Sequence, residues 1–401
     1  MGTEINIKKI ADLDLEKDRG IQVESSLLTK DASEIINDPE IHIVVELIGG
    51  TEKAKEFILS AMEKGKHVVT ANKALLAECG EEIFSAARRY GVNIGFEASV
   101  AGGIPIIGVL RYGLCANKIR SIFGILNGTS NFILTKMAEE GLPYSDVVKE
   151  AVNMGIAENP PTLDVEGIDA SHKLAIIISL IYGSPVSYRQ IYTEGITEIT
   201  LDDLKFADEF GYTVKLLAIA RDRGSFIEAR VHPTMIPKKS ILASVNGTFN
   251  AIYIDGDFVG PNLYYGLGAG RRPAGSAVVA DIMEIARNII NGNSSSPPLI
   301  ELDRPLRILP IEELESRYYF RITAIDRPGV LSAISGILGK NKISIESVIQ
   351  KGRRRKENDF VPIVMLTHEA KERDVRKAVS EIDKLSVVKG KTMVIRVEDG
   401  F

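Results

Sequence analysis

At 401 residues the chain is long enough for two or three domains. Hydrophobic residues make up 45% and charged residues 26%, with 35 Gly and 16 Pro, a balance that excludes collagen-like, mucin-like and disordered classes. Lys and Arg total 49 against 54 Asp and Glu, a formal net charge of -5, so the basic footprint of a nucleic-acid binder is missing. The two cysteines, Cys79 and Cys115, suit a reducing compartment better than a disulfide framework. The first residues have no apolar signal core, and no run reaches about 18 uncharged apolar residues. The expectation is a cytoplasmic protein with no membrane partner.

The first 100 or so residues alternate short β-rich runs with amphipathic helical stretches, the rhythm of a parallel sheet with crossover helices. Residues 41–48 (IHIVVELI) read as a strand buried on both faces and end in Gly49-Gly50. Thr51 can cap a helix running to about Lys64, Lys64-Gly65-Lys66 closes it, and residues 67–70 (HVVT) read as the next strand. A third unit covers residues 74–96. From about Gly102 the pattern changes to longer helices, at 103–114, 130–140, 144–152 and 168–182, with β runs near 119–126, 212–220 and 226–232. Residues 291–304 (NGNSSSPPLIELDR) read as a linker within 291–315. From about Ser316 the order is βαββαβ, the split βαβ plan. The boundaries expected are therefore 1–102, 103–290 and 316–401. The basic run 352–356 (GRRRK) reads as a solvated hairpin loop.

The residues that can carry chemistry concentrate in 151–173, AVNMGIAENPPTLDVEGIDASHK. Its prolines prevent one continuous helix, so the first part must be an ordered loop. Asp169 and Lys173 follow four apart on a helix, hence on one face, and the apolar residues 174–181 carry that face to the edge of the core. A partly buried lysine beside a carboxylate can move a proton; the same spacing equally makes an ordinary salt bridge. Thr70-Ala71-Asn72-Lys73 sits at a strand end, where open α/β sheets bind ligands, although Lys73 also fits a surface helix turn. Gly266, Gly268 and Gly270 precede a helix expected from about Ala274 to Asn291, and allow a backbone to approach a ligand closely. Asn127-Gly128-Thr129-Ser130-Asn131 reads as a strand-to-helix turn whose side chains suit capping.

Together these stretches resemble homoserine dehydrogenases. The family signature is met by Ala151, Gly155, Ile156, Ala157, Pro161, Asp164, Val165, Gly167, Asp169 and Lys173, with TANK at 70–73, FEASVAGGIPII at 96–107 and NGTSNFI at 127–133 in the same order. The resemblance implies an α/β fold: an incomplete Rossmann-like parallel sheet, an α+β substrate and dimerisation domain, and, at Asp326-Arg327-Pro328-Gly329, a βαββαβ ACT domain. It implies interconversion of L-homoserine and L-aspartate 4-semialdehyde with NADP or NAD. By matched position, Lys173 is the proton donor and acceptor, and Glu158, Asp164 and Asp169 hold the substrate amino group and position that lysine. Lys73 contacts substrate or nicotinamide. Ile48, Gly155, Glu158 and Gly270 line the cofactor site. Glu97, Val100, Gly102 and Ile104 match a monovalent-cation site (Na+). The ACT domain implies an amino-acid effector, threonine, at Asp326 and Gly329, in a homo-oligomer, dimer or tetramer.

Two departures from the family pattern stand out. Pro160 precedes the motif proline, which could shift the loop carrying Glu158, and the G-x-G-x-x-G turn that opens the family's first βα unit has no counterpart, as in a truncated chain. The rival expectation is a non-catalytic amino-acid-binding or interaction protein that has lost its cofactor segment.

Overall fold

The computed structural model describes residues 4–292, 306–350 and 359–400. The basic run 352–356 and most of the expected linker lie outside the described residues. Two compact units are present, and both are built from discontinuous segments: Met1–Asn117, His172–Tyr188 and Gly266–Leu306 form the first, and Lys118–Ser171, Arg189–Tyr265 and Arg307–Phe401 the second.

The first unit is α/β with parallel pairing throughout. β1 (Ile10–Ala11) pairs with β2 (Leu28–Thr29), and β3 (Ile43–Glu46), β4 (His67–Thr70) and β5 (Ile94–Gly95) form a separate three-stranded sheet. α1 (Ser33–Asn37), α2 (Glu52–Glu63) and α3 (Lys73–Tyr90) supply the crossovers. The α3 cap follows from sequence: Asn72 accepts the Leu75 N–H at its start and Gly91, φ 65°, ends it. α10 (Arg271–Ile290) lays Val278 and Ile285 against Val69 of β4. The parallel sheet is thus in two pieces. A groove of about 380 Å³ is lined by Ile5 and Ile7 before β1, Ile43 and Val45 of β3, and Ile282 and Ile289 of α10.

That division explains a difference from the sequence reading. Residues 41–48 are not buried on both faces: β3 is an edge strand, with Val45, Leu47 and Ile48 exposed by 37%, 62% and 56%. An apolar run reads alike whether or not its second neighbour is present. Thr51 stands before α2 but makes no side-chain cap bond. The helix expected at 103–114 starts later, after Pro105, and runs as α4 (Ile106–Gly108) directly into a π turn (Val109–Gly113); the Gly103 N–H before it donates to the Leu267 carbonyl. α10 begins three residues earlier than expected, after Gly270 at φ 123°.

The second unit is organised by one sheet. Its order is β11 (Gly260–Leu267), β10 (Phe249–Gly256), β6 (Ile119–Ile125), β8 (Tyr212–Asp222), β9 (Ile227–Pro237), β16 (Met393–Val397), β12 (Glu315–Ile325), β14 (Phe360–Thr367) and β13 (Ile345–Gln350). Two short strands join at the side, β7 (Tyr192–Thr193) on β9 and β15 (Ala370–Lys371) on β12. Its helices are α5 (Gly128–Glu140), α6 (Tyr144–Asn153), α7 (Thr162–Val165), the start of α8 (Ile168–Tyr182) and α9 (Leu201–Glu209). With α11 (Val330–Lys340) and α12 (Glu372–Ile382), the last part has the expected βαββαβ order, and Tyr318, Phe320, Ile334, Met365 and Ile382 share its core. The β10–β11 hairpin and α9 were not anticipated. The hairpin hid behind the glycines of 266–270, which read as a loop.

β16 pairs antiparallel with β12 and parallel with β9, Arg396 opposite Thr234 and Val397 opposite Met235. Buried charges flank this junction. Arg230, 1% exposed, pairs with Glu228 and Glu398, and Arg221 reaches Glu398 at 2.5 Å. Arg396, 3% exposed, meets Glu372 at 2.5 Å and Glu194 at 2.8 Å. Removing one member of such a set strands the others without water. Arg396→Met is therefore expected to destabilise the protein by about 3 kcal/mol, seen by calorimetry as a lower unfolding midpoint; an unchanged midpoint would show that the pairs are idle.

Candidate functional site

In the second unit the signature loop is gripped by the tip of α5. Asn127, the helix N-cap, accepts the Ser130 N–H at 2.7 Å. Its amide nitrogen donates to Asp164 Oδ1 at 2.7 Å and to Asp169 Oδ2 at 2.8 Å. Ser130 Oγ donates to the Asp164 carbonyl at 2.8 Å, and Thr129 Oγ1 to the Ile156 carbonyl at 3.1 Å. Asp164 lies in α7 and is half-buried, whereas Asp169 is buried in the first turn of α8. Gly155, φ 70°, supplies the left-handed turn after α6. Glu158 is exposed, and the Asn159–Pro160 peptide beside it is cis.

Behind α5 sits a buried lysine that the sequence reading passed over. Lys215, 2% exposed, donates to the Val245 carbonyl at 2.6 Å, Asn246 Oδ1 at 3.0 Å and Asn131 Oδ1 at 3.1 Å. Burial lowers its pKa to about 8.

In the first unit the strand ends carry the second cluster. Glu46, 5% exposed, closes β3: its carboxylate accepts the Ile48 and Gly49 N–H groups, at 2.9 and 3.2 Å, and the Thr70 hydroxyl at 2.6 Å. Asn72 Nδ2 donates to the Gly50 carbonyl at 2.7 Å. Glu46 thereby shapes the turn that presents Ile48, with Gly49 and Gly50 at φ 73° and 69° and nothing within 4 Å of either Cβ direction. This exposed apolar tip stands at the carboxyl end of β3, the end at which open parallel sheets bind ligands. Lys73 is half-buried in the first turn of α3. Lys173 is buried on α8, four residues after Asp169, with the His172 ring edge-on to Tyr188 at 4.3 Å.

A third cluster surrounds residues 97–108. The Glu97 carboxylate accepts the Ile107 and Gly108 N–H groups, at 2.8 and 2.7 Å, and the Glu97 N–H donates to Asp281 Oδ2 at 2.9 Å. Between them Ala101 and Gly102 take positive φ, 51° and 25°, and a Cβ on Gly103 would meet the Leu267 carbonyl oxygen at 2.7 Å. Val100 and Ile104 are buried. Desolvation raises Glu97 and pushes Asp281 up to about 7. Among the described residues no group of three or more His, Cys, Asp or Glu side chains could hold a metal, so any ion in this turn depends on carbonyl oxygens as well. The fourth cluster is the turn before α11, where Gly329 takes φ 89° and Gln350 Nε2 donates to Asp326 Oδ1 at 3.1 Å. A cavity of about 400 Å³ opens there, lined also by Arg327, Leu331 and Ile363.

Three family models match the chain in register with these clusters: the homoserine dehydrogenase NAD-binding domain over residues 2–97, homoserine dehydrogenase over 105–283 and the ACT domain over 318–387. A homoserine dehydrogenase of Neisseria gonorrhoeae is 46% identical over 402 residues, spanning 99% of this chain and 92% of its own. The chain belongs to the homoserine dehydrogenase family. A crystal structure of a homoserine dehydrogenase from Thiobacillus denitrificans superposes with a TM-score of 0.90 at 46% identity, covering 98% of this chain and 90% of its own. A hyperthermophilic archaeal homoserine dehydrogenase in complex with NADPH has a TM-score of 0.58 at 30% identity, over 67% and 77%. The enzyme reading is thereby the one that stands against the binding-protein rival. A family dehydrogenase uses NAD or NADP, and this chain carries the family's NAD-binding domain. Among the described residues no helix is long and apolar enough to cross a membrane.

Sequence reasoning missed Glu46, Asp281 and Lys215. Their signal was present in each case: a charge interrupting an apolar run, which packing tolerates only when hydrogen bonds satisfy it. Asp281 gives a pH test. Its folded pKa, about 7, lies above the ordinary carboxyl value of 3.8, so the folded state holds this proton more tightly. Its favourable contribution is complete below about pH 4 and is lost as pH rises through about 7. Asp281→Asn does not titrate, so its melting temperature relative to the wild type should rise from pH 4.5 to 7.5. A constant difference would contradict the assignment.

Proposed function

We propose that Lys173 is the group that exchanges a proton with the substrate oxygen during NAD(P)-dependent interconversion of L-homoserine and L-aspartate 4-semialdehyde. The observation that carries this reading is the convergence of Asp164 and Asp169 on one amide at the start of the helix that carries Lys173. In the oxidising direction the substrate carbon gives up a hydride, which the nicotinamide accepts when bound, and the hydroxyl proton passes to Lys173. Asp164, Asp169 and Glu158 take the substrate ammonium, and Asp169 also positions the lysine. Lys73 orients the reacting oxygen or the nicotinamide. Ile48, Gly155, Glu158 and Gly270 line the cofactor. The left-handed turn at 101–102 supports a Na+ held by Glu97, Val100, Gly102 and Ile104, largely through carbonyl oxygens. Threonine is the effector proposed for the Asp326 and Gly329 turn, and a homo-oligomer, dimer or tetramer, the state in which it acts.

Homoserine-dependent reduction of NAD+ and NADP+ tests the activity. Lys173→Ala should lower kcat by about 100-fold or more; wild-type kcat in that variant refutes the proton-transfer role. Asp326→Ala should raise the threonine concentration for half-inhibition about tenfold or more, a loss typical of a hydrogen bond to a charged group, with basal kcat unchanged. Unaltered inhibition would move the effector elsewhere.

A further inference from the structure

Building on the dehydrogenase reading, we propose that Asn127 is a positioning residue for that reaction, its amide nitrogen holding the carboxylates of Asp164 and Asp169 together. A helix cap needs one oxygen, and Ser, Thr or Asp provide it as well as Asn. An amide adds two N–H donors, which in a buried place must find acceptors. Asn127 is 4% exposed, and both donors are spent on carboxylates, at 2.7 and 2.8 Å, while its oxygen serves the cap. The two carboxylates come from separate helices and carry like charge. Like charges repel, and a donor shared between the two carboxylates offsets that repulsion.

The donor is also immobile. A Cβ at Gly128 would meet the Thr248 carbonyl oxygen at 2.6 Å, so that backbone contact admits nothing larger. One turn on, Asn131 donates to the Val245 and Phe249 carbonyls, at 3.0 and 3.1 Å, and its oxygen is held by Lys215. The tip of α5 cannot follow a carboxylate that drifts. Asp169, in the first turn of α8, is therefore referenced to a fixed point. Asn127 touches no reacting atom in this account; it sets where the groups that do so stand.

Three variants of the full chain separate clamp from cap. N127S keeps a cap oxygen and removes the amide without adding charge, N127D keeps the oxygen and adds a third carboxylate, and N127A removes both. The proposal expects N127S to unfold within about 3 °C of the wild type while its kcat for homoserine falls about 10- to 100-fold, the scale of a misplaced catalytic group. In N127D the acid limb of the pH–rate profile moves to higher pH. Wild-type kcat and an unshifted profile in both, with N127A merely less stable, reduce Asn127 to a cap and overturn the proposal. Calorimetry of homoserine binding runs in parallel. A wild-type protein that neither oxidises nor binds homoserine overturns the dehydrogenase reading instead, and carboxyl NMR titration then decides the clamp. Asp164 and Asp169 titrating at higher pH in N127S supports it, and identical titration in both proteins refutes it.

Discussion

Two residues of parallel pairing, Arg396 opposite Thr234 and Val397 opposite Met235, make the ACT strands and the substrate-domain strands one sheet. The two halves of this sheet are joined here, because β16 is at once the edge strand of the ACT strands and the neighbour of β9. A strand covered on both faces lacks the inside–outside alternation by which hydrophobic pattern sets register. Here the charges specify it: a slip of β16 would part Arg396 from Glu372 and Glu398 from Arg230. Buried ion pairs add little net stability against apolar replacements. Their weight falls on the choice between one register and its competitors. Asp203 adds a second fixing point, accepting from Arg321 at 2.6 Å and from Tyr319 at 3.1 Å while also closing the capping box of α9.

The chemistry-bearing residues are placed by the same economy of means. Several stand beside a polar side chain whose hydrogen bonds are turned inward on the backbone. Glu46 shapes the turn at Ile48, Glu97 the start of α4, Thr129 and Ser130 the loop from Ile156 to Asp164. Strand ends and helix starts leave backbone groups unpaired, and buried carboxylates and hydroxyls fill those vacancies. Loops that would otherwise fluctuate become parts of a rigid frame, which catalysis by positioning requires.

Much of this was legible beforehand. The alternation of short strands with capped helices identified the parallel sheet, and the βαββαβ order of the last segment was readable because its periods switch cleanly from 2 to 3.6. The 151–173 stretch stood out because Glu158, Asp164, Asp169 and Lys173 crowd together there, although the Asp169 and Lys173 spacing equally suits an ordinary salt bridge. What escaped was tertiary. The exposed side of β3 depends on which strand stands next to it, and the Gly103 N–H ahead of α4 is taken by a carbonyl from Leu267, far along the chain. Asn127 was visible as a cap, but the second use of its side chain needs the spatial return of Asp164 and Asp169, 37 and 42 residues later. Sequence spacing carries local geometry well and long-range partnership poorly.

The shared sheet bears on how an insensitive enzyme could be made. Cutting the chain before β12 is the obvious route to a dehydrogenase freed from its effector. Such a cut would also take Glu398 from Arg230 and Arg221, leaving two guanidinium groups to share Glu228, and would bare the stretch of β9 at Thr234 and Met235 that β16 covers. Regulation here is grafted into the fold rather than appended to it. A point change at the 326–329 turn, the effector site proposed above, would leave the sheet closed, whereas deletion would open it.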